Sequence, residues 1–316
     1  MTSRTKGFFI SGNVLVLGYC ALNAVKSVYE GHVLVASSPA FLAANVFLLA
    51  QVVYVFLQRD LKGLLARSRR AVLGVLWINV TTALSWFAVL YALASLPPAV
   101  VNSLVVGLIP VISLALAPLF RRSVPVIAGD VVSAAGCLAA ALLLIYFLTE
   151  GENALGEIAV VQIVIGSVAA AATALGVAAN TFTTKSLTDA GFVSSEIMAL
   201  RFTLLNVLAA ALTTWQGGWD AYSLQALTAI IVLAVTGVFI GVYLLQIGIS
   251  RTEPIIVALL FPSNLFFTYA AQYLDPRLSP NLKVLGCAIL VALFSIYGVY
   301  ARWSAAKAAT VAKGKA

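Results

Sequence analysis

Ten stretches of about 20 predominantly apolar residues follow one another along this chain, and the short breaks between them carry most of its charge. They read as 8–29, 33–57, 71–96, 98–120 and 125–148, then 158–181, 194–215, 225–249, 254–274 and 281–302. A stretch of that length, wound as an α-helix, matches the hydrocarbon thickness of a bilayer and satisfies its backbone hydrogen bonds internally. The expected fold is therefore all-α, a polytopic membrane protein of about ten transmembrane helices. Composition agrees. Of 316 residues 62% are hydrophobic and 9% charged, whereas a soluble globule carries about 25% charged residues. Mean hydropathy is +1.04.

The same inventory excludes several kinds of chemistry. Cys20, Cys137 and Cys287 all fall inside apolar stretches, so neither a disulfide framework nor a Cys/His metal site is expected. His32 is the sole histidine, which removes His-based triads and zinc sites. No Walker-type Gly-rich loop is present, so primary pumping is not expected. The expectation is a non-enzyme that needs no metal or other cofactor. Met1 to Gly7 lead straight into a span, without a signal-peptide cleavage pattern. The net charge of +8 suits basic loops on the cytoplasmic side better than nucleic-acid binding.

Charge also sets an orientation. With the N-terminus inside, Lys26, Arg277 and Lys283 fall at the outer side and Arg201 lies within a span, leaving fifteen of 19 basic residues inside. That asymmetry follows the positive-inside rule, and a miscount of spans would scramble it. A multi-pass protein of the cell (plasma or inner) membrane with both termini cytoplasmic is expected, as a monomer or a homodimer.

Five spans in each half imply two inverted repeats, because an odd number makes the second half begin on the opposite side. The halves are 1–150 and 151–316, the latter ending in a basic tail. Landmarks recur in order: Lys26-Ser27 and Lys185-Ser186, Asn45-Val46 and Asn206-Val207, Pro110 and Pro262, Gly136-Cys137 and Gly286-Cys287.

The segment from Tyr91 through Leu96-Pro97-Pro98 to Ile109-Pro110-Val111, and its counterpart from Gln246 through Glu253-Pro254 to Pro262, resemble the third-to-fourth span junction of the drug/metabolite transporter superfamily, in its ten-span EamA-like branch. Leu200-Arg201-Phe202 is similar to that family's arginine near the start of the seventh span. Where the family often has an acidic residue, this chain reads Arg121-Arg122-Ser123 and Asp275-Pro276-Arg277. The resemblance implies alternating access around a central cavity lined chiefly by spans one, three, four, six, eight and nine.

Polar groups kept in hydrocarbon usually face a bundle interior. Helical spacing places Gly12, Tyr19, Asn23 and Lys26 on one stripe of the first span, and Asn79, Thr82 and Trp86 on one of the third. Asn102 lies early in the fourth. Thr236, Phe239, Tyr243 and Gln246 share a side of the eighth, and Asn264, Thr268 and Gln272 one of the ninth. Such a lining suits a neutral or zwitterionic organic solute, or else bonds neighbouring helices. Lys26 either snorkels to the outer interface or meets solute. Arg201 is either an anion receptor or the structural partner of Asp130 or Glu196. Pro110 and Pro262 serve as hinges or packing kinks, and Gly166, Ala169, Thr173 and Gly176 form a close-packing face.

The expected function is a secondary transporter or exporter of small organic metabolites, amino acids among them, working in the bilayer on a small-molecule substrate. Alternatives are an antiporter of nucleotide sugars or phosphorylated solutes, and, in another class, a non-transporting membrane subunit or lipid flippase.

Overall fold

The architecture comes from a computed structural model that describes residues 11–120, 126–149, 159–275 and 281–313. Arg121, Arg122, Ser123, Pro276 and Arg277, used above for orientation and resemblance, lie outside the described residues, as do Arg4, Lys6 and Lys315 of the basic residues counted as inside. All regular elements among the described residues are helical. Helix α1 spans Gly12–Val33, α2 Pro39–Phe56, and a short α3 covers Leu61–Arg70. Three long helices follow, α4 (Val72–Ser95), α5 (Pro98–Phe120) and α6 (Ala128–Thr149). The second half opens with α7 (Val160–Asp189), and its next span is broken into α8 (Ser194–Leu200) and α9 (Thr203–Trp215). Then come α10 (Leu224–Val232), a π-helical segment (Leu233–Val242) and α11 (Tyr243–Arg251), which wind as one rod. Another broken span, α12 (Pro254–Leu260) and α13 (Ser263–Gln272), precedes α14 (Leu282–Lys313).

The chain is an all-α polytopic membrane protein: among the described residues, nine helices or broken helices are long and apolar enough to cross a bilayer. The tenth expected span, α1, has the length but carries Asn13, Asn23, Lys26, Glu30 and His32. Its neighbours explain how it tolerates them. It packs against α11, α13 and the π-helical segment, so Lys26 and Glu30 are buried and Asn23 half-buried against protein, while Asn13 and His32 lie exposed near its two ends. Start signals are local: Ser11, Ser38 and Ser223 accept from Val14 N–H, Phe41 N–H and Ala226 N–H to cap α1, α2 and α10.

Packing follows a pseudo-two-fold pattern. α7 lies on α4 and α5, as α1 lies on α11 and on α12–α13. Across the axis α2 packs on α8–α9 and α6 on α14. Polar bonds tie these contacts. Asn206 donates to Gln51 at 2.6 Å, and Gln51 to Ala199 O at 2.9 Å. Arg302 grips Asp130 with two bonds of 2.8 and 2.7 Å. Small residues let helices approach: a Cβ on Gly136 would stand 2.2 Å from the Phe294 ring, and one on Gly176 would stand 2.7 Å from Ser85 N.

Candidate solute-binding cavity

A cavity of about 80 Å³ lies among α1, α4, α5, α7, α8, α11 and α13, room for several waters. Of the residues expected to meet solute, Tyr19, Asn23, Lys26, Trp86, Asn102 and Asn264 line it, together with Arg201. Ser85, Thr173, Asn180 and Thr181 add polar groups, and Val89, Val105, Val106, Ile109, Val242 and Leu245 an apolar wall.

Arg201 is 4% exposed and sits where α8 ends and the helix breaks before α9. Its pairing departs from expectation. Glu196 is taken by Arg67 and Asp130 by Arg302. No carboxylate among the described residues lies within ion-pair distance of Arg201. Instead Nε donates to Thr82 Oγ1 at 3.2 Å, Nη1 to Gln246 Oε1 at 3.0 Å and Nη2 to Asn180 Oδ1 at 2.7 Å. Asn180 in turn donates to Thr82 Oγ1 at 2.8 Å. The guanidinium is held by neutral oxygens, oriented but not neutralised. The resemblance left the seventh span out of the lining; Arg201 puts it there.

Lys26 is also buried, not snorkelled. Its ammonium lies 2.9 Å from Glu30 one turn on and 4.3 Å from the Trp86 ring centre. Its stem crosses Gly237 of the π-helical segment, where a Cβ would meet Lys26 Cδ at 2.5 Å. An aromatic series links the two cations. Trp86 meets Phe47 at 4.7 Å and Phe47 meets Phe202 at 5.3 Å. Arg201 stands 5.4 Å from the Phe202 ring centre. The side chains around the cavity carry Lys26, Glu30 and Arg201, a net single positive charge.

Four expected contacts lie behind the walls. Asn79 donates to Leu200 O at 3.0 Å and accepts from Leu204 N–H at 3.1 Å, satisfying backbone groups released by the α8–α9 break. Gln246 backs Arg201. Thr268 accepts from Asn102 Nδ2 at 3.0 Å and donates to Asn264 O at 2.8 Å. Tyr243 packs against Tyr54, ring centres 5.5 Å apart. The eighth-span stripe fails for a geometric reason: π winding, with i→i+5 bonds, breaks the 3.6 period, so Thr236 is exposed while Gly237 faces Lys26. Pro262 interrupts the helix between α12 and α13. Pro110 sits inside a continuous, buried turn of α5. Asp130 belongs to the α6–α14 contact, away from the cavity lining.

Helical spacing leaves Ser85, Thr181, Asn180 and Glu30 out of the expected lining. Asn180 lies seven residues after Thr173, on the same helical face, and that spacing was a usable signal. Glu30 lies one residue beyond the apolar run that closes at Tyr29, and its i,i+4 relation to Lys26 is the signal that includes it.

No family model matches this chain, and no curated protein matches it. Solved structures do: 22 chains match. One, described as "Crystal structure of protein", aligns with a TM-score of 0.59 at 17% identity, covering 90% of this chain and 94% of its own. At that identity the likeness shows the fold alone.

Proposed function

We propose that this protein is a secondary transporter of small organic metabolites, opening a central cavity to either side of the membrane in turn. The observation that carries the reading is Arg201: a guanidinium 4% exposed, on the wall of a cavity, held by three neutral oxygens. An uncompensated buried cation is costly, and a solute bearing a carboxylate would supply the missing charge. Three of the five guanidinium N–H groups are engaged, leaving donors for such a group. The amides, Trp86 and the valine-rich wall suit the remainder of a zwitterion with an apolar or aromatic side chain, so amino acids are the first candidates. The pseudo-two-fold packing and the resemblance to the drug/metabolite transporters support two-sided access. The basic loops favour cytoplasmic termini.

Phosphorylated solutes and nucleotide sugars are the competing cargo. Lys26 and Arg201 do converge, but Glu30 offsets the first, and Lys283 lies over Phe147 instead. The test is counterflow in liposomes without ATP, using labelled amino acids and labelled nucleotide sugars in parallel. Amino-acid uptake lost in Trp86→Ala supports the reading. Uptake of nucleotide sugars alone replaces it with the competitor, and uptake of neither removes transport of both classes.

A further inference from the structure

Helix α3 joins two spans but does not resemble them: its sequence, LKGLLARSRR, is amphipathic and basic. Asp60 starts it by accepting from Gly63 N–H at 2.8 Å. At 3.6 residues per turn, Leu61, Leu64 and Leu65 gather on one side. Lys62 and Arg69 flank them, and Arg70 lies opposite. The three leucines do not share an environment. Leu64 is 2% exposed and joins the core, whereas Leu61 and Leu65 are 44% and 57% exposed. The chain on either side is also apolar and exposed, with Phe56 at 84% and Leu73 at 70%, as lipid-facing span ends should be.

On the polar side, Arg67 bonds Glu196. Arg59, Lys62, Arg69 and Arg70 are exposed, and none has an acidic partner among the described residues. The helix thus presents three faces: one seated on the protein, one apolar and open, and one an unneutralised cluster of cations. A helix fixed at the membrane surface by spans at both ends meets headgroups there, and four exposed cations beside exposed leucines complement an anionic leaflet.

We propose that α3 is a docking site for anionic phospholipid. Leu61 and Leu65 enter the acyl boundary while Arg59, Lys62, Arg69 and Arg70 hold headgroup phosphates. Arg67–Glu196 and the Gln58 Nε2–Ser195 O bond of 3.2 Å fasten this face to the start of α8, the helix that ends at Arg201. The site depends on the membrane fold and not on which solute is carried.

The test is native mass spectrometry of the full chain in detergent, titrated with phosphatidylglycerol or phosphatidylcholine. The wild type should retain phosphatidylglycerol preferentially. K62Q/R69Q/R70Q should weaken that retention at least about tenfold while unfolding thermally like the wild type in lipid-free detergent. Leu65→Asp, which keeps every cation, should weaken it as well. Equal retention of the two lipids, retention unchanged in the triple variant or in Leu65→Asp, or displacement by millimolar inorganic phosphate would each overturn the proposal. Solute counterflow that survives in the triple variant separates this site from the cavity.

Discussion

Arg201 bonds only neutral oxygens, and two of its three partners, Asn180 and Gln246, are themselves buried amides. Removing the charge and keeping an amide tests whether that charge serves the fold or the cargo. Arg201→Gln should lower solute counterflow more than about tenfold, the effect of losing a charge-assisted bond of 1.5–3 kcal/mol. Arg201→Lys should fall between, because it keeps the charge and loses the planar fork. The distinguishing readout is ligand-induced thermal stabilisation: solute should raise the unfolding temperature of the wild type and leave that of Arg201→Gln unchanged. A purely structural Arg201 would lower stability and leave the solute-induced shift intact. At this scale the sequence was partly legible. A cation well inside an apolar run marks itself, as Arg201 did. Its partners are set by three-dimensional neighbours on α4, α7 and α11 that no local spacing reveals, so Asp130 and Glu196 were plausible candidates that the fold assigns elsewhere.

Elements were legible wherever the 3.6-residue period held and lost where it did not. Apolar runs bounded by Ser, Pro and charged residues give α4 and α5 nearly to the residue, whereas α2 begins at Pro39, after the Ser38 cap and inside the apolar run that opens at Val33; Pro262 announces its own break. The α8–α9 break has no proline. It is stabilised by Asn79 from another helix, a tertiary cause invisible in the run itself. The π-helical segment likewise has no sequence mark beyond Gly237 and Gly241, yet it decides which face meets α1. Gly237→Val should displace the Lys26 stem, which a Cβ would approach to 2.5 Å, and pull the ammonium from Trp86. A cation–π contact of about 2 kcal/mol when desolvated would be lost, and counterflow should fall severalfold with the protein still folded. The α6–α14 contact gives the opposite signature. Asp130→Ala leaves Arg302 without its carboxylate, costing about 3 kcal/mol. Thermal stability should drop while counterflow per folded molecule is unchanged, since neither residue lines the cavity.

At the scale of the molecule, the pseudo-two-fold packing has a consequence for topology. If α1 crosses the bilayer beside the nine candidate spans among the described residues, each half holds five, and corresponding helices can superpose only if the halves enter the membrane from opposite sides. The pairing of α7 with α4 and α5, repeated by α1 with α11 and α12–α13, is the pattern two such halves would leave, and the direction in which each half enters is open to direct measurement. Two exposed positions test it. Arg69 lies in the last turn of α3, after the second span. Asp220 lies in the turn between α9 and α10, after the seventh. Two helices separated by five spans in an alternating chain point oppositely, so these positions should lie on opposite faces. The native cysteines are all buried, so Arg69→Cys and Asp220→Cys introduce single reactive thiols on a quiet background. In intact cells a membrane-impermeant maleimide should label Asp220→Cys and spare Arg69→Cys until the membrane is permeabilised. Labelling of both, or of neither, in intact cells would put the two turns on one face and remove the inverted arrangement on which two-sided access depends.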